Sequence, residues 1–499
     1  MQFGSLSQIL RARLKKPRID NYYREKLQLV ILSLHLHRFK YKTMLIRFTV
    51  ENFLSFRDKV VFSLIPGKGT LKPQHKSKPI KGTSVLKTAV VFGANASGKS
   101  NLIKAIEFGK KLVLKGSKTE QPITFDIFKL DKKSVKDNSR IEYEIQHKNK
   151  NYAYGFVFNS KEIIEEWLFE INKKSETKIF ERKNSNNFDL SFLSKKNKKE
   201  ETQFIEFTAK GTPRNQLFLT QIRNTNVTEN VSDISDILNI IDWFQNALTV
   251  IYPNSKNIGK KFELLENTDL QKLFTEMLDY FDTGIDGIDF KEIDFNKVDV
   301  PNEIKEDIKN DLLSEKSEKK GAFLSNPQDD KYYIISKNKE NELEAKLLKT
   351  KHKVIGGTFE LFDLKDESDG TRRIMDLIPL IIDFFKGGNV FIVDEMERSL
   401  HPNLIYDLFD FFLSKCDNIN SQFIVASHES TLLTQKLLRK DEIWFAVKDK
   451  QGVSHLHSLE DYNIRFDKEV RRDYLLGRYK GIPKLGNRNK LTVLPINND

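Results

Sequence analysis

The stretch Lys87–Leu102, KTAVVFGANASGKSNL, constrains this chain more than any other. Four apolar residues, Ala89–Phe92, run into Gly93-Ala94-Asn95-Ala96-Ser97-Gly98-Lys99-Ser100, and Leu102, Ile103, Ala105 and Ile106 follow at helical spacing. A buried strand, the pattern G-x-x-x-x-G-K-[ST] and a helix together form a phosphate loop. Gly93 and Gly98 let the backbone bend so that successive N–H groups face phosphates, and the helix adds its positive end. Lys99 supplies a point charge for the β- and γ-phosphates, and Ser100 a hydroxyl ligand for Mg²⁺. Asn95, Ala96, Ser97 and Asn101 complete the candidate nucleotide-binding set.

A second half of the site is legible 300 residues on. Val390-Phe391-Ile392-Val393 is an apolar strand ending in Asp394-Glu395. At the carboxyl end of a buried strand, Asp394 can hold Mg²⁺ through water and Glu395 can act as base toward an attacking water. Ser368-x-Gly370 heads a helical stretch. Its hydroxyl and the helix amides offer an anion site, or else Ser368 is a simple N-cap. His428 follows the strand Gln422–Ala426 and is either a γ-phosphate contact or structural.

Composition narrows the class. The chain has 499 residues, enough for two or three domains, and 31% of them are charged. Its single cysteine, Cys416, excludes an internal disulfide and fits a reducing cytoplasm. The longest apolar runs, such as Leu27–Leu34, are too short to span a bilayer, so no membrane is expected. Ten of the Lys and Arg residues lie in residues 1–43 against two acids, which gives that segment +8 of the net +13. It reads as a dispensable extension before Met44, with a basic arm as the alternative.

The remaining order is β-rich, then helical, then alternating. Met44–Asn52 and Val60–Leu64 alternate as strands, and residues 140–183 read as an antiparallel meander. Ser194–Glu201 reads as a solvated loop. Residues 233–248, 267–281 and 303–313 show helical spacing, which predicts a mainly helical insertion over 226–350, and β character returns from Lys331 at Tyr332–Ile335, Glu344–Leu348 and Thr358–Leu364. The expected organisation is an extension (1–43), a first ATPase lobe (44–225), the insertion (226–350), a second lobe (351–485) and a tail (486–499). Helices alternating with buried strands around a phosphate loop predict an α/β fold with a largely parallel sheet.

These parts, in this order, resemble the ABC-type ATPases of the SMC, RecF and OLD superfamily, and within it the AAA15-type subgroup of bacterial abortive-infection and anti-phage systems. The resemblance rests on Asn95, Asn101, Ser368-x-Gly370, Asp394-Glu395, Ser399-Leu400-His401-Pro402 and His428. Asn52-Phe53-Leu54-Ser55-Phe56 and Tyr474-Leu475-x-Gly477-Arg478-Tyr479-x-Gly481-x-Pro483 add to it. It implies an ABC-type P-loop ATPase head with an antiparallel β subdomain, using ATP and Mg²⁺. Ser368 and Gly370 match the signature motif, Ser399 and Leu400 the D-loop, and His428 the switch histidine. Two departures are Ala96 where many relatives have Gly, and Asp369 inside the signature. The Q-loop glutamine stays open between Gln216 and Gln221. The resemblance further implies a head-to-tail homodimer closed by two ATP molecules, slow hydrolysis used as a switch, and a separate effector. Only 71 residues follow His428, so that effector is expected to be another protein, a nuclease. The rival reading is a RecF-type repair or chromosome-maintenance ATPase that binds DNA across the dimer, and a DNA or RNA partner stays open in either reading.

Overall fold

The computed structural model describes residues 42–118, 121–255, 268–313, 321–326, 330–338, 340, 342–462, 464 and 469–483. The basic extension, apart from Lys42 and Thr43, and the 486–499 tail lie outside the described residues.

The first half of the chain supplies β1 (Met44–Glu51), β2 (Val60–Ser63), β3 (Thr88–Phe92), α1 (Lys99–Lys115), β4 (Ser139–His147), β5 (Lys150–Phe158), β6 (Ile163–Ile171), β7 (Glu176–Lys183) and β8 (Asn187–Asp189). Short helices follow: α2 (Ser191–Lys196), α3 (Lys199–Lys210), α4 (Phe218–Asn224), α5 (Val227–Asn230) and α6 (Ser235–Asp242). A π-turn then leads to β9 (Leu248–Ile251). Next come α7 (Thr268–Tyr280), β10 (Gly287–Asp294), α8 (Asn302–Leu313), β11 (Gly321–Asn326), β12 (Lys331–Lys337), β13 (Leu343–Lys353) and β14 (Phe359–Phe362). The chain closes through α9 (Asp369–Lys386), β15 (Val390–Asp394), α10 (Pro402–Lys415), β16 (Gln422–Ala426), β17 (Ile443–Lys448), β18 (Ser454–Ser458) and α11 (Val470–Leu475).

Two compact units result. One gathers Phe39–Pro253, Gly387–Glu397 and the chain from Ile405, and the other Asn254–Lys386 with Arg398–Leu404. The first unit holds two sheets. An antiparallel sheet runs β2-β1-β4-β5-β6-β7-β8, and a mostly parallel one runs β18-β17-β3-β16-β15-β9. In the second sheet β17, β3, β16, β15 and β9 are parallel, and only β18 is antiparallel. β3, β15 and β16 are buried at every position, as a parallel sheet covered on both faces requires. Helix α1 shares one apolar core with both sheets through Leu102, Ile103, Ile106 and Val113. Tyr143 of β4 donates its hydroxyl to the Ile106 carbonyl at 2.6 Å. That approach needs glycine at 109, because a Cβ there would sit 2.2 Å from the Tyr143 oxygen.

The fold is thus the expected α/β arrangement, a largely parallel sheet around the glycine-rich loop with an antiparallel β subdomain. The insertion is less helical than expected, although β12, β13 and β14 fall on the expected strands. Its unit carries a second antiparallel sheet, β10-β13-β12-β11 with β14 added to β13, beside α7 and α8. Long alternating runs such as Leu343–Lys353 decide this, since every second residue can face the small core of Val298, Leu312, Tyr333, Ile335 and Ala345. The expected boundaries shift as well. Residues 226–253 belong to the ATPase unit through β9, whereas β13 crosses the expected 350/351 border without interruption. The stretch read as a loop at 194–201 is helical on both sides of Asn197. Its lysines hid an amphipathic pattern that buries Ile205 and Ala209, and the Glu201 carboxylate accepts the Lys198 N–H at the helix start.

Candidate functional site

The topology itself assembles the nucleotide end of the first unit. Although β16 follows β15 in sequence, it lies between β3 and β15 in the sheet. Three neighbouring parallel strands therefore release the phosphate loop, Ser427-His428 and Asp394-Glu395 at one edge, where ligands gather in open α/β sheets.

Both loop glycines are dictated by space. A Cβ at Gly93 would lie 2.5 Å from the Ala446 carbonyl and from the Ser97 hydroxyl. Gly98 has φ +113°, and a Cβ there would meet the Ser454 hydroxyl at 2.4 Å. Ala96 also adopts positive φ, +59°, at the exposed loop tip beside Asn95. This conformation explains why glycine suits that position. It costs an L-residue about 1–2 kcal/mol, against about 0.4–1 kcal/mol for the extra unfolded-state freedom of glycine. Ala96→Gly is therefore expected to stabilise the chain by up to about 1 kcal/mol, read as a higher Tm in thermal denaturation with nucleotide binding kept.

Lys99 is 5% exposed and donates to the carbonyls of Gly93 (2.9 Å) and Ala94 (3.2 Å). Burial pushes its ammonium down to about 8, and Asp394, Glu397 and Glu395 pull it part of the way back. Asp394 is 3% exposed and accepts a hydrogen bond from Ser100. Burial raises its carboxyl above the ordinary value, against the opposing pull of Ser100 and Lys99. Its Oδ1 is buried with no hydrogen-bond partner. A serine hydroxyl touching a carboxylate that keeps one unpartnered buried oxygen is a hard-oxygen donor set of the kind Mg²⁺ takes. Glu395 leaves β15 with φ +46°, its N–H bonded to the Ala426 carbonyl at 3.0 Å. Such left-handed residues are costly, and they concentrate where the surrounding structure must aim a side chain. The exposed His428 ring has its pKa lowered by burial of its inner side and then by Lys99.

Three supports went unread in the sequence. Glu397 accepts the His428 N–H at 2.5 Å. Its signal was the third carboxylate in Asp394-Glu395-Met396-Glu397, which the strand-end reading stopped short of. Ser55, in the Asn52–Phe56 motif, accepts from Asn101 Nδ2 and from Ser454 Oγ, both at 2.8 Å, while Ser454 Oγ also reaches the Ser97 carbonyl at 2.8 Å. Asn101 thus ties the loop to the motif rather than facing away from it. The closing motif packs on the loop from the other side. Tyr474 and Tyr479 stack on Phe445, Tyr474 donates to the Gly481 carbonyl at 3.0 Å, and a Cβ at 481 would stand 3.7 Å from the Gly93 Cα.

Neither Q-loop candidate reaches this end. Gln216 donates to the Ser117 carbonyl at 2.9 Å, and Thr220, beside Gln221, donates to the Leu112 and Val113 carbonyls. Leu112 and Val113 are in the last turns of α1, about 20 Å along the helix from Lys99, and Ser117 lies just past its end.

The remaining motif residues belong to the other unit. Ser368 is exposed and caps α9, accepting the Thr371 N–H at 3.0 Å. Gly370 abuts the D-loop, since a Cβ there would lie 2.8 Å from the Ser399 carbonyl, and Ser399 itself has φ +63°. The Asp369 charge is met by Arg372, which also pairs with Asp330 at 2.6 Å. Glu367 anchors the loop to β13 by accepting from Thr350 (2.5 Å) and bonding His352 (2.6 Å). Among the described residues no cluster of three His, Cys, Asp or Glu suited to a metal appears, and no helix is long and apolar enough to cross a membrane.

A glycine-bent loop with a buried lysine, a Ser–Asp pair below it and the loop-bearing strand one removed from the acidic one define a P-loop ATPase domain. A family model for the "AAA domain, putative AbiEii toxin, Type IV TA system" matches residues 89–434. That match spans more than half of the chain, and the protein belongs to this AAA-domain family. Comparison with curated proteins gave no match. Among solved structures, the SMC head domain from Thermotoga maritima is similar at 12% identity and TM-score 0.34, over 83% of this chain and 98% of that one. The SMC head bound to the C-winged helix domain of ScpA gives 14% and 0.34, over 83% and 97%. The Smc head with an extended coiled coil, bound to the C-terminal domain of ScpA derived from Pyrococcus furiosus, gives 12% and 0.33, over 88% and 100%.

Proposed function

We propose that the protein is a Mg²⁺-dependent ATPase working as a cytoplasmic switch. Two copies close head to tail on two ATP molecules, slow hydrolysis reopens them, and the cycle governs a separate effector, a nuclease, in an anti-phage system of the abortive-infection type. The observation that carries the reading is the Ser100–Asp394 contact beside buried Lys99, with Glu395 leaving the same strand. Ser100 and Asp394 would hold Mg²⁺, which offsets phosphate charge when bound. Lys99 leaves the Gly93 and Ala94 carbonyls for the β- and γ-phosphates. Glu395 takes a proton from the attacking water, and neutral His428 steadies the γ-phosphate. The family's description as a putative toxin of a Type IV system supports the defence context.

Dimer closure is assigned to Ser368 because it stands exposed at the N-terminus of an 18-residue helix, whose end favours an anion. Light scattering of Glu395→Gln is expected to show the mass doubling on addition of ATP, and Ser368→Arg in the same background is expected to remain monomeric. A monomer at saturating ATP, or a Ser368→Arg chain that dimerises and hydrolyses normally, removes the composite site. Identification of the proteins copurifying from the native operon tests the effector.

A further inference from the structure

We propose that Glu397 is a positioning residue for His428, an inference that rests on the ATPase reading above. Its carboxylate lies at the end of the β15 strand and reaches across to the chain leaving β16. There Oε1 accepts the His428 N–H at 2.5 Å. The Ser427 hydroxyl bonds the same carboxylate. Ser427 Oγ in turn accepts the Glu429 N–H at 2.9 Å. Glu397 thus holds Ser427 and His428, and Ser427 in turn holds Glu429, in the loop that carries the imidazole. The strand ladder reinforces it, because the Glu395 N–H bonds the Ala426 carbonyl at 3.0 Å. Glu395 and His428 are therefore held at a set spacing by two ties between neighbouring strand ends, one main-chain and one through Glu397.

Chemistry selects a carboxylate here. A loop leaving a strand in mid-site has N–H groups with no ladder partner, and the Glu397 carboxylate supplies one to His428. An aliphatic residue at 397 would remove the tie to the His428 N–H and free the loop to shift by about 1 Å, a displacement that costs about a hundredfold in a positioned reaction. The Glu397 charge also lies close enough to Lys99 to help keep it protonated, so the two roles need separating.

Glu397→Ala and Glu397→Gln separate them. Glutamine retains an oxygen for the His428 N–H and removes the charge. Steady-state ATPase assays on full-length protein are expected to show kcat lowered about ten- to a hundredfold in Glu397→Ala with KM for ATP within about threefold, and most of that loss recovered in Glu397→Gln. Adding His428→Ala to Glu397→Ala is expected to lower kcat by less than about threefold further, because both changes remove one function. Full additivity, or equal losses for Gln and Ala, overturns the proposal. A structural readout is independent of turnover. With ¹⁵N-histidine labelling, the amide resonance that disappears in His428→Ala is expected downfield and protected from hydrogen exchange in wild type and Glu397→Gln, and upfield and fast-exchanging in Glu397→Ala. An unchanged amide in a folded Glu397→Ala chain also overturns it. If wild type binds ATP without hydrolysing it, the ATPase reading fails while the amide result still decides the role of Glu397. Should Glu397→Ala not fold, Glu397→Asp, one methylene too short to reach, takes its place with the same expected outcomes.

Discussion

Glu395→Gln is expected to bind ATP as tightly as wild type and to lower kcat by about two to four powers of ten, the contribution of a positioned general base. Lys99→Ala is expected to lose binding itself. The contrast follows from where each charge sits. Lys99 is held under the loop by the Gly93 and Ala94 carbonyls, and Asp394, Glu395 and Glu397 favour its charged form. Those contacts are available to exchange for phosphate oxygens, so its removal takes away ground-state affinity. Glu395 holds a left-handed backbone at the strand end, with its N–H committed to Ala426. Glutamine keeps the size and the aim and cannot take a proton. Isothermal titration with ATP and Mg²⁺, beside phosphate-release assays, reads both variants. Equal turnover by wild type and Glu395→Gln removes the base role, and tight ATP binding by Lys99→Ala removes the phosphate contact.

The two halves of this site were legible in the sequence because each is a local pattern. The phosphate loop declares itself within eight residues, and Val390–Glu395 within six. The strands of the meander showed in their alternation, and the helix after the loop in its spacing. What stayed hidden depends on contacts distant in sequence or on backbone angles. Nothing local says that β16 inserts between β3 and β15, yet that order brings His428 to the site. The positive φ of Ala96 and Glu395 has no composition signal in residues other than glycine and asparagine. Ser55 and Gly481 act on the loop only once Ser454 and Tyr474 have folded beside it. In the unit built on Asn254–Lys386 the strands at 332–335, 344–348 and 358–364 were legible, whereas β10 and β11 were not, because they gain stability only from pairing.

Arg182→Ala is expected to destabilise the first unit by about 3–5 kcal/mol. Arg182 and Glu166 are each 0% exposed, and their closest approach is a loose 3.9 Å. Burial raises the Glu166 carboxyl and lowers the Arg182 guanidinium, so for both groups desolvation outweighs their mutual attraction. The pair earns its place through the backbone it satisfies. Glu166 accepts the N–H groups of Phe218 (2.6 Å) and Leu219 (3.2 Å) at the start of α4, and the Tyr154 hydroxyl at 3.0 Å. Arg182 donates to the Ser185 and Gln216 carbonyls, each at 2.6 Å. Together they fasten the 213–219 turn to the meander. Removing Arg182 strands a buried carboxylate and two carbonyls at once. The usual remedy for a buried ion pair, replacing both members with apolar residues of similar size, is therefore expected to fail here. A Glu166→Leu/Arg182→Met double variant still orphans the Phe218 and Leu219 N–H groups and the two carbonyls, each at about 1–3 kcal/mol. Urea denaturation of the single and double variants checks this. A double variant as stable as wild type would mean that the pair is only a tolerated charge; recovery of no more than about half of the loss identifies it as the clasp of this turn.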